Sequence, residues 1–137
     1  MSIDVFVIEC ENSDRTIASA EFAAQRQDDL DIRVHRVSNV DSSQVTADLV
    51  HIVSGGGIVM PEFYGAMKAY LESSNRDYVT CPALSISGGN DKGIEGVGNM
   101  IIKSWVIKEI GGIDDLKNRV VFEYRGVEIP HFLYMEI

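Results

Sequence analysis

Short apolar runs recur along this chain and are separated by polar or glycine-rich segments. Ile3 to Ile8 is apolar and mostly β-branched, and Asp48 to Ser54 and Pro82 to Ser87 have a similar character. Such runs are typical of strands that are buried on both faces of a parallel sheet. Ile32 to Val37 alternates apolar and polar residues instead, which predicts a more exposed strand at a sheet edge.

Helical patterns lie between these runs. Ser13 or Asp14 can cap a helix that begins near Thr16. After the third strand, Pro61 and Glu62 suit a first helical turn, since proline needs no N–H donor there and glutamate favours the positive end of the helix dipole. The apolar positions that follow at helical spacing are Phe63, Met67, Tyr70 and Leu71.

The second half of the chain carries a weaker pattern. Gly93 to Gly111 predicts a long helix with apolar residues around nearly its whole circumference, so it requires burial on more than one side. Arg119 to Tyr124 predicts a last strand, and Gly126 to Ile137, with Pro130 inside it, disfavours a C-terminal helix. Ser38 to Ala47 is short for a crossover, so we expect the second crossover to be reduced.

This arrangement of strands and helices predicts one α/β domain that spans residues 1–137. Without a terminal helix, part of the sheet or the Gly93–Gly111 helix would expose an apolar surface. A homodimer or homotetramer would cover that surface. Alternatively, Val127 to Ile137 folds back over its own sheet.

Composition narrows the class of protein. The formal net charge of −9 argues against nucleic acid or an anionic membrane surface as a partner, because both repel an acidic domain. No apolar run approaches the roughly 18 residues that span a bilayer, and the N-terminus lacks the basic start of a secretory signal, so we expect a cytoplasmic protein. Cys10 follows the first predicted strand and Cys81 precedes the fourth, which places them at opposite ends of the sheet, so no disulfide is expected. Neither has a second Cys or a His at metal-ligand spacing, so no metal site is expected.

Two glycine-rich segments, Ser54–Gly57 and Ser87–Gly89, each close a predicted strand and lead into a helical pattern. Parallel sheets bind ligands outside the carboxyl ends of their strands, and glycine lets the backbone approach a ligand closely. The two segments together therefore predict a ligand crevice. The alternative is that tight strand-to-helix turns require glycine whatever they bind.

Longer stretches of sequence resemble a known family. Pro61–Glu72 (PEFYGAMKAYLE) resembles the segment after the third strand in NAD(P)H-dependent FMN reductases and in quinone oxidoreductases of the tryptophan-repressor-binding-protein type. Cys81–Gly89, followed by Gly93–Glu95, is similar to the fourth strand, glycine loop and next helix of those families. The resemblance covers Asp48 to Gly112 and implies a flavodoxin-like three-layer sandwich, with a five-stranded parallel sheet of order 2-1-3-4-5.

The resemblance also implies a cofactor, FMN, and a reaction in which NAD(P)H reduces a quinone, flavin or similar acceptor through it. The flavin carries that chemistry, so no catalytic residue is nominated. The flavin ring would lie between two loops, whose residues are Pro61, Glu62, Phe63, Tyr64, Ser87, Gly88, Gly89, Gly93 and Glu95. The phosphate would lie against Ser13, Arg15 and Thr16, which match a Ser-x-Arg element of the first loop.

Several alternatives remain at this stage. Glu9, Glu11 and Asp14 surround the first loop, which has no glycine, and carboxylates repel a phosphate. The alternative role for Ser13 or Asp14 is that of a helix cap alone. The alternative for Phe63 is a core position of its helix, and the alternative for Tyr64 is a position in solvent. The sequence is then also compatible with a flavodoxin-like electron carrier, or with a flavin-free binding or assembly module.

Overall fold

Strands and helices alternate along the first half of the chain, and short strands dominate the second half. The computed structural model describes residues 1–54, 56–85, 97–113 and 115–136. The strands are β1 (Ser2–Ile8), β2 (Asp31–Val37), β3 (Leu49–Ser54), β4 (Gly57–Val59), β5 (Tyr78–Thr80), β6 (Ala83–Ser85), β7 (Met100–Lys103), β8 (Gly126–Glu128) and β9 (Tyr134–Glu136). The helices are α1 (Ser13–Gln25), α2 (Phe63–Ser74), α3 (Ser104–Ile110) and α4 (Leu116–Glu123), and Ser42–Gln44 forms a 3₁₀ turn.

The main sheet has six strands in the order β2-β1-β3-β7-β5-β8. β1 lies between β2 and β3 and is parallel to both, with Ile3 opposite Ile32 and Leu49. This confirms the predicted order of the first three strands. β7, however, is antiparallel to both of its neighbours, and β5 and β8 are parallel to each other. The sheet is therefore mixed, and the prediction of a five-stranded parallel sheet is wrong.

A second, small sheet has the order β4-β9-β6. Its central strand is β9. β9 pairs antiparallel with β4, where Met135 lies opposite Ile58, and parallel with β6, where Met135 lies opposite Leu84. The segment 126–136 thus adds a strand to each sheet. This is the alternative in which the C-terminal segment folds back on its own domain.

Helices cover both faces of the main sheet, because its strands are apolar on both sides. Val5 and Val7 of β1 pack with Met67 of α2 in one buried cluster, which also contains side chains of α1. Phe6 points to the other face and packs in a second cluster, with Val106 of α3 and Val120 of α4. The fold therefore has three layers. Within the described residues, no helix is both long and apolar enough to cross a bilayer.

In the described part of the predicted helix over Gly93–Gly111, residues 97–111, only the C-terminal half is helical. Met100–Lys103 is strand β7, and helix α3 begins only at Ser104. Met100, Ile101 and Ile102 are all at most 2% exposed, since β7 lies between β3 and β5 with both faces covered. A continuous apolar run fits a doubly buried strand as well as it fits a buried helix.

Two other predicted strands differ from the structure. Arg119–Tyr124 lies mostly in helix α4, which buries Leu116 and Val120 at helical spacing and leaves Phe122 86% exposed. The strand predicted over Pro82–Ser87 is confirmed in its described part by β6, but β6 joins the small sheet, and the main-sheet strand β5 before it was not predicted. The reduced second crossover is confirmed, since the 3₁₀ turn is its only helical element.

Candidate functional site

The carboxyl ends of β1, β2 and β3 meet at one edge of the main sheet, because the three strands are parallel. The loop after β1, residues 9–12, and the loop after β3, which contains Gly56, therefore lie at the same edge. In α/β proteins the crevice outside such strand ends is the usual ligand site. We take this edge as the candidate functional site.

Ser13 holds the first loop in shape. Its side chain is 1% exposed, and its Oγ accepts a 2.6 Å hydrogen bond from the N–H of Cys10 while donating to the Cys10 carbonyl at 2.8 Å. These contacts close the turn that leads into α1. The hydroxyl is thus engaged within its own loop, and the helix N-cap position is Asn12.

Thr16 joins the first loop to the loop after β3. Its Oγ1 accepts a 3.0 Å hydrogen bond from the backbone N–H of Gly56, whose φ of 98° lies in the left-handed region. One turn later, Ser19 Oγ accepts from the N–H of Val59 at 3.3 Å. Helix α1 therefore fixes the position of the Gly56 loop through two side-chain hydroxyls.

Charged side chains gather beside these loops. The Arg36 guanidinium, at the end of β2, donates to Asp14 at 2.5 Å and to Glu9 at 3.5 Å, and the hydrogen bond to Asp14 raises the pKa of Arg36. Glu11 and Arg15 are exposed on the same loop and first helical turn. The edge thus offers both carboxylates and guanidinium groups to solvent.

The aromatic residues proposed as ring contacts lie in the core. Phe63 and Tyr64 are both 0% exposed and pack on His51 of β3, at ring-centroid distances of 4.8 and 5.5 Å. Pro61 and Glu62 precede them in the turn before α2, where Glu62 is exposed. The side chains of Phe63 and Tyr64 therefore form part of the α2 packing face.

The structure brings Ser13 and Thr16 together with the Gly56 loop, and Arg15 follows on the same helical turn. The other predicted site residues, Ser87, Gly88, Gly89, Gly93 and Glu95, lie outside the described residues. In the described part of the chain, no group of three or more His, Cys, Asp or Glu side chains is arranged to hold a metal ion.

Tyr134, which sequence reasoning did not identify, packs beside this edge. It is 2% exposed, and a Cβ on either Gly57 or Gly98 would overlap its hydroxyl group. The phenol also donates to Glu136 Oε1 at 3.2 Å. Two glycines far apart in the sequence are thus explained by one side chain from β9, a relation that no local pattern reveals.

The fold is similar to that of S. aureus TarS. The structure of TarS 1–349 superimposes with a TM-score of 0.70 at 12% identity, over 99% of this chain and 60% of that chain. The complex of TarS 1–349 with UDP gives 0.69 at 13% identity (98% and 60%), and the complex with UDP-GlcNAc gives 0.68 at 11% identity (98% and 58%). The chain therefore spans about 60% of the TarS 1–349 structure. No protein-family model matches the sequence, and no curated protein is similar to it.

These similarities correct the flavoprotein interpretation. At 11–13% identity they show the fold alone, but the proteins that share it were solved with UDP and UDP-GlcNAc. The resemblance to FMN reductases and quinone oxidoreductases is therefore wrong, as are the expected cofactor FMN and the expected partners, NAD(P)H and an electron acceptor. The Pro61–Glu72 motif misled because its matching residues Phe63, Tyr64 and Met67 are buried positions of a helix.

Proposed function

We propose that this chain binds a nucleotide sugar of the uridine diphosphate type at the carboxyl edge of β1, β2 and β3. The observation that carries the proposal is the similarity, over 98% of this chain, to the structures of TarS 1–349 in complex with UDP and with UDP-GlcNAc. The position of the site follows from the general preference of α/β sheets for ligands at this edge.

The charges of the first loop support a ligand rich in hydroxyl groups. Glu9, Glu11 and Asp14 are unfavourable beside a lone phosphate, since like charges repel. Carboxylates are, however, strong acceptors for the hydroxyl groups of ribose and hexose. The carboxylates of this loop therefore suit the sugar portions of a nucleotide sugar, whereas its phosphates need nearby cationic side chains.

The diphosphate requires compensating positive charge. Arg15 is exposed on the first turn of α1, and Arg36 lies at the end of β2 beside the same turn. A guanidinium group matches phosphate oxygens in a bidentate manner. We assign the diphosphate to these two side chains, of which Arg36 exchanges part of its contact with Asp14 for the ligand.

Calorimetric titration of the full chain with UDP and with UDP-GlcNAc tests the proposal, each with and without added Mg²⁺. We expect saturable binding of both, and weaker binding of uridine, which lacks the diphosphate. Failure of both nucleotides to bind under either condition would overturn the proposal.

Matched variants locate the site. Arg15→Gln is expected to weaken UDP binding about fivefold, the loss of roughly one partly screened charge contact. Arg76→Gln is the control, because Arg76 is exposed in the α2–β5 connection at the opposite edge of the sheet. Glu11→Gln should weaken UDP-GlcNAc binding, whereas Glu123→Gln on α4 should not. Equal effects of the site and control variants would place the ligand elsewhere.

A further inference from the structure

A second cleft lies at the other end of the main sheet, away from β1 and β2. Its volume is about 460 Å³, which is within the usual range for sites that bind small molecules. It lies where β5, β8 and the start of β7 approach α4. The polar residues that line it are Thr80, Asn99, Lys117, Glu128 and Glu136, and the apolar ones include Met100, Val121 and Val127.

The cleft contains charges of both signs. Lys117 of α4 and Glu128 of β8 are exposed, and neither forms an ion pair within the described residues. Glu136 adds a second carboxylate, which accepts a hydrogen bond from Tyr134. One ammonium group and two carboxylates thus surround the same space.

Asn99 contributes an acceptor that needs a donor. The backbone carbonyl of Asn99 accepts from the Cys81 N–H at 3.0 Å. The side-chain Nδ2 donates to the Cys81 carbonyl, which orients the side-chain amide. Its Oδ1 is buried and has no hydrogen-bond partner within the described part of the chain. A buried acceptor without a donor is unfavourable, so an N–H donor on this side of the cleft would stabilise the Asn99 amide.

We propose that this cleft binds a small zwitterion of the amino-acid type. The ammonium group pairs with Glu128 beside the Asn99 amide, and the carboxylate pairs with Lys117. An aliphatic side chain covers Val121, which is 50% exposed. A neutral polyol fits less well, because it would desolvate both charged groups without supplying a countercharge.

The proposal does not depend on nucleotide-sugar binding, since the cleft shares no residue with the edge formed by β1, β2 and β3. Its test therefore contains no nucleotide. Leucine is the probe, and three related compounds each lack one feature: 4-methylpentanoate has no ammonium group, 3-methylbutylamine has no carboxylate, and glucose carries neither charge.

Amide chemical shifts of ¹⁵N-labelled full chain report the binding. We expect leucine to cause saturable shifts at Thr80, Gly126 and Glu128, and the three related compounds to bind at least several-fold more weakly. Lys117→Gln and Glu128→Gln should each weaken leucine binding about threefold to tenfold, as expected for one partly screened ion pair. Lys108→Gln on α3 and Glu21→Gln on α1 are exposed controls and should have no effect.

Three results would overturn the proposal. They are no saturable shift with leucine, binding of glucose as tight as that of leucine, or an equal affinity for leucine in both cleft variants and their controls. All four variants change exposed side chains, so their thermal unfolding should match that of the parent chain. That measurement excludes unfolding as the cause of a lost signal.

Discussion

His51 and Tyr64 form a hydrogen bond of 2.9 Å between the imidazole Nδ1 and the phenol hydroxyl, in a region without solvent exposure. The other imidazole nitrogen, Nε2, lies 2.6 Å from the carbonyl of Gly98. A carbonyl only accepts, so Nε2 carries the proton and Nδ1 accepts from Tyr64. This neutral histidine connects β3, α2 and the segment before β7.

The buried His51 makes stability depend on pH. Burial lowers its pKa from 6.5 to about 4, although the hydrogen bond to Gly98 opposes the shift. The unfolded chain therefore binds a proton at His51 before the folded chain does, so stability is constant above pH 6.5 and falls as the pH decreases towards 4. Because of His51, the free energy of unfolding measured in urea should be roughly 2 kcal/mol lower at pH 4.5 than at pH 7. The pH dependence should be smaller by that amount in His51→Gln, and an unchanged dependence would contradict the assignment.

Tyr64→Phe removes the donor to His51 and leaves its Nδ1 buried without a partner. The expected loss is about 1–3 kcal/mol of unfolding free energy, measured in urea at pH 7. Tyr70→Phe is the matched control, because Tyr70 lies on the same helix and is 37% exposed. Equal stability of the two variants would show that the hydrogen bond contributes nothing.

Asp4 is a buried carboxylate held by backbone donors. Its Oδ2 accepts from the N–H groups of Thr46 and Ala47, both at 2.9 Å, and its Oδ1 lies 3.0 Å from His35 Nε2. Burial by itself raises its pKa, but these hydrogen bonds and the charge of Arg33 outweigh that effect and lower the pKa below 3.8. The ionised Asp4 therefore contributes fully to the free energy of unfolding above pH 3.8, and this contribution is lost as the pH falls through the lowered pKa.

Asp4→Asn removes the charge that Arg33 and the backbone N–H groups of Thr46 and Ala47 stabilise, and leaves only one acceptor oxygen where the carboxylate has two. We expect a loss of about 2 kcal/mol or more in urea unfolding. Asp28→Asn, at an exposed position, should change stability by less than about 0.5 kcal/mol. A loss at Asp4 no larger than at Asp28 would contradict this role.

The side chain of Tyr134 leaves no room for a Cβ at Gly57 or Gly98. Gly98→Ala places a methyl group where the phenol lies, so we expect a destabilisation of about 1–3 kcal/mol in urea. In Gly98→Ala combined with Tyr134→Leu, the two losses should be less than additive, because the smaller side chain relieves the overlap. Gly112→Ala is the control, since a Cβ there has open space. Additive losses would contradict the contact.

The sequence predicted the part of the fold whose pattern is local. β1, β2 and β3 are recognisable because each is a short apolar or alternating run, whereas their order was implied only by the family resemblance. β7 was not predictable, because Met100–Lys103 is apolar enough for either a helix or a strand. It forms a strand because it pairs with β3 and β5. The small sheet depends on pairing of Ile58 with Met135, which are far apart in the chain.

The candidate site was likewise predictable only where it depends on local sequence pattern. The sheet edge and its first and third loops follow from the strand ends, and Thr16 was correctly placed near them. The Pro61–Glu72 segment was misread, because Phe63 and Tyr64 occupy the same helical spacing whether they cover a ligand or fill a core. Only their burial against His51 shows that they fill the core and do not cover a ligand.

The central claim is that a uridine nucleotide sugar binds where β1, β2 and β3 end. Titration of ¹⁵N-labelled protein with UDP-GlcNAc tests it most directly, since each backbone amide reports its own surroundings. We predict saturable shifts at Glu11, Arg15, Thr16 and Gly56, with little change at Thr80 or Glu128. No saturable shifts, or shifts confined to Thr80 and Glu128, would contradict the account.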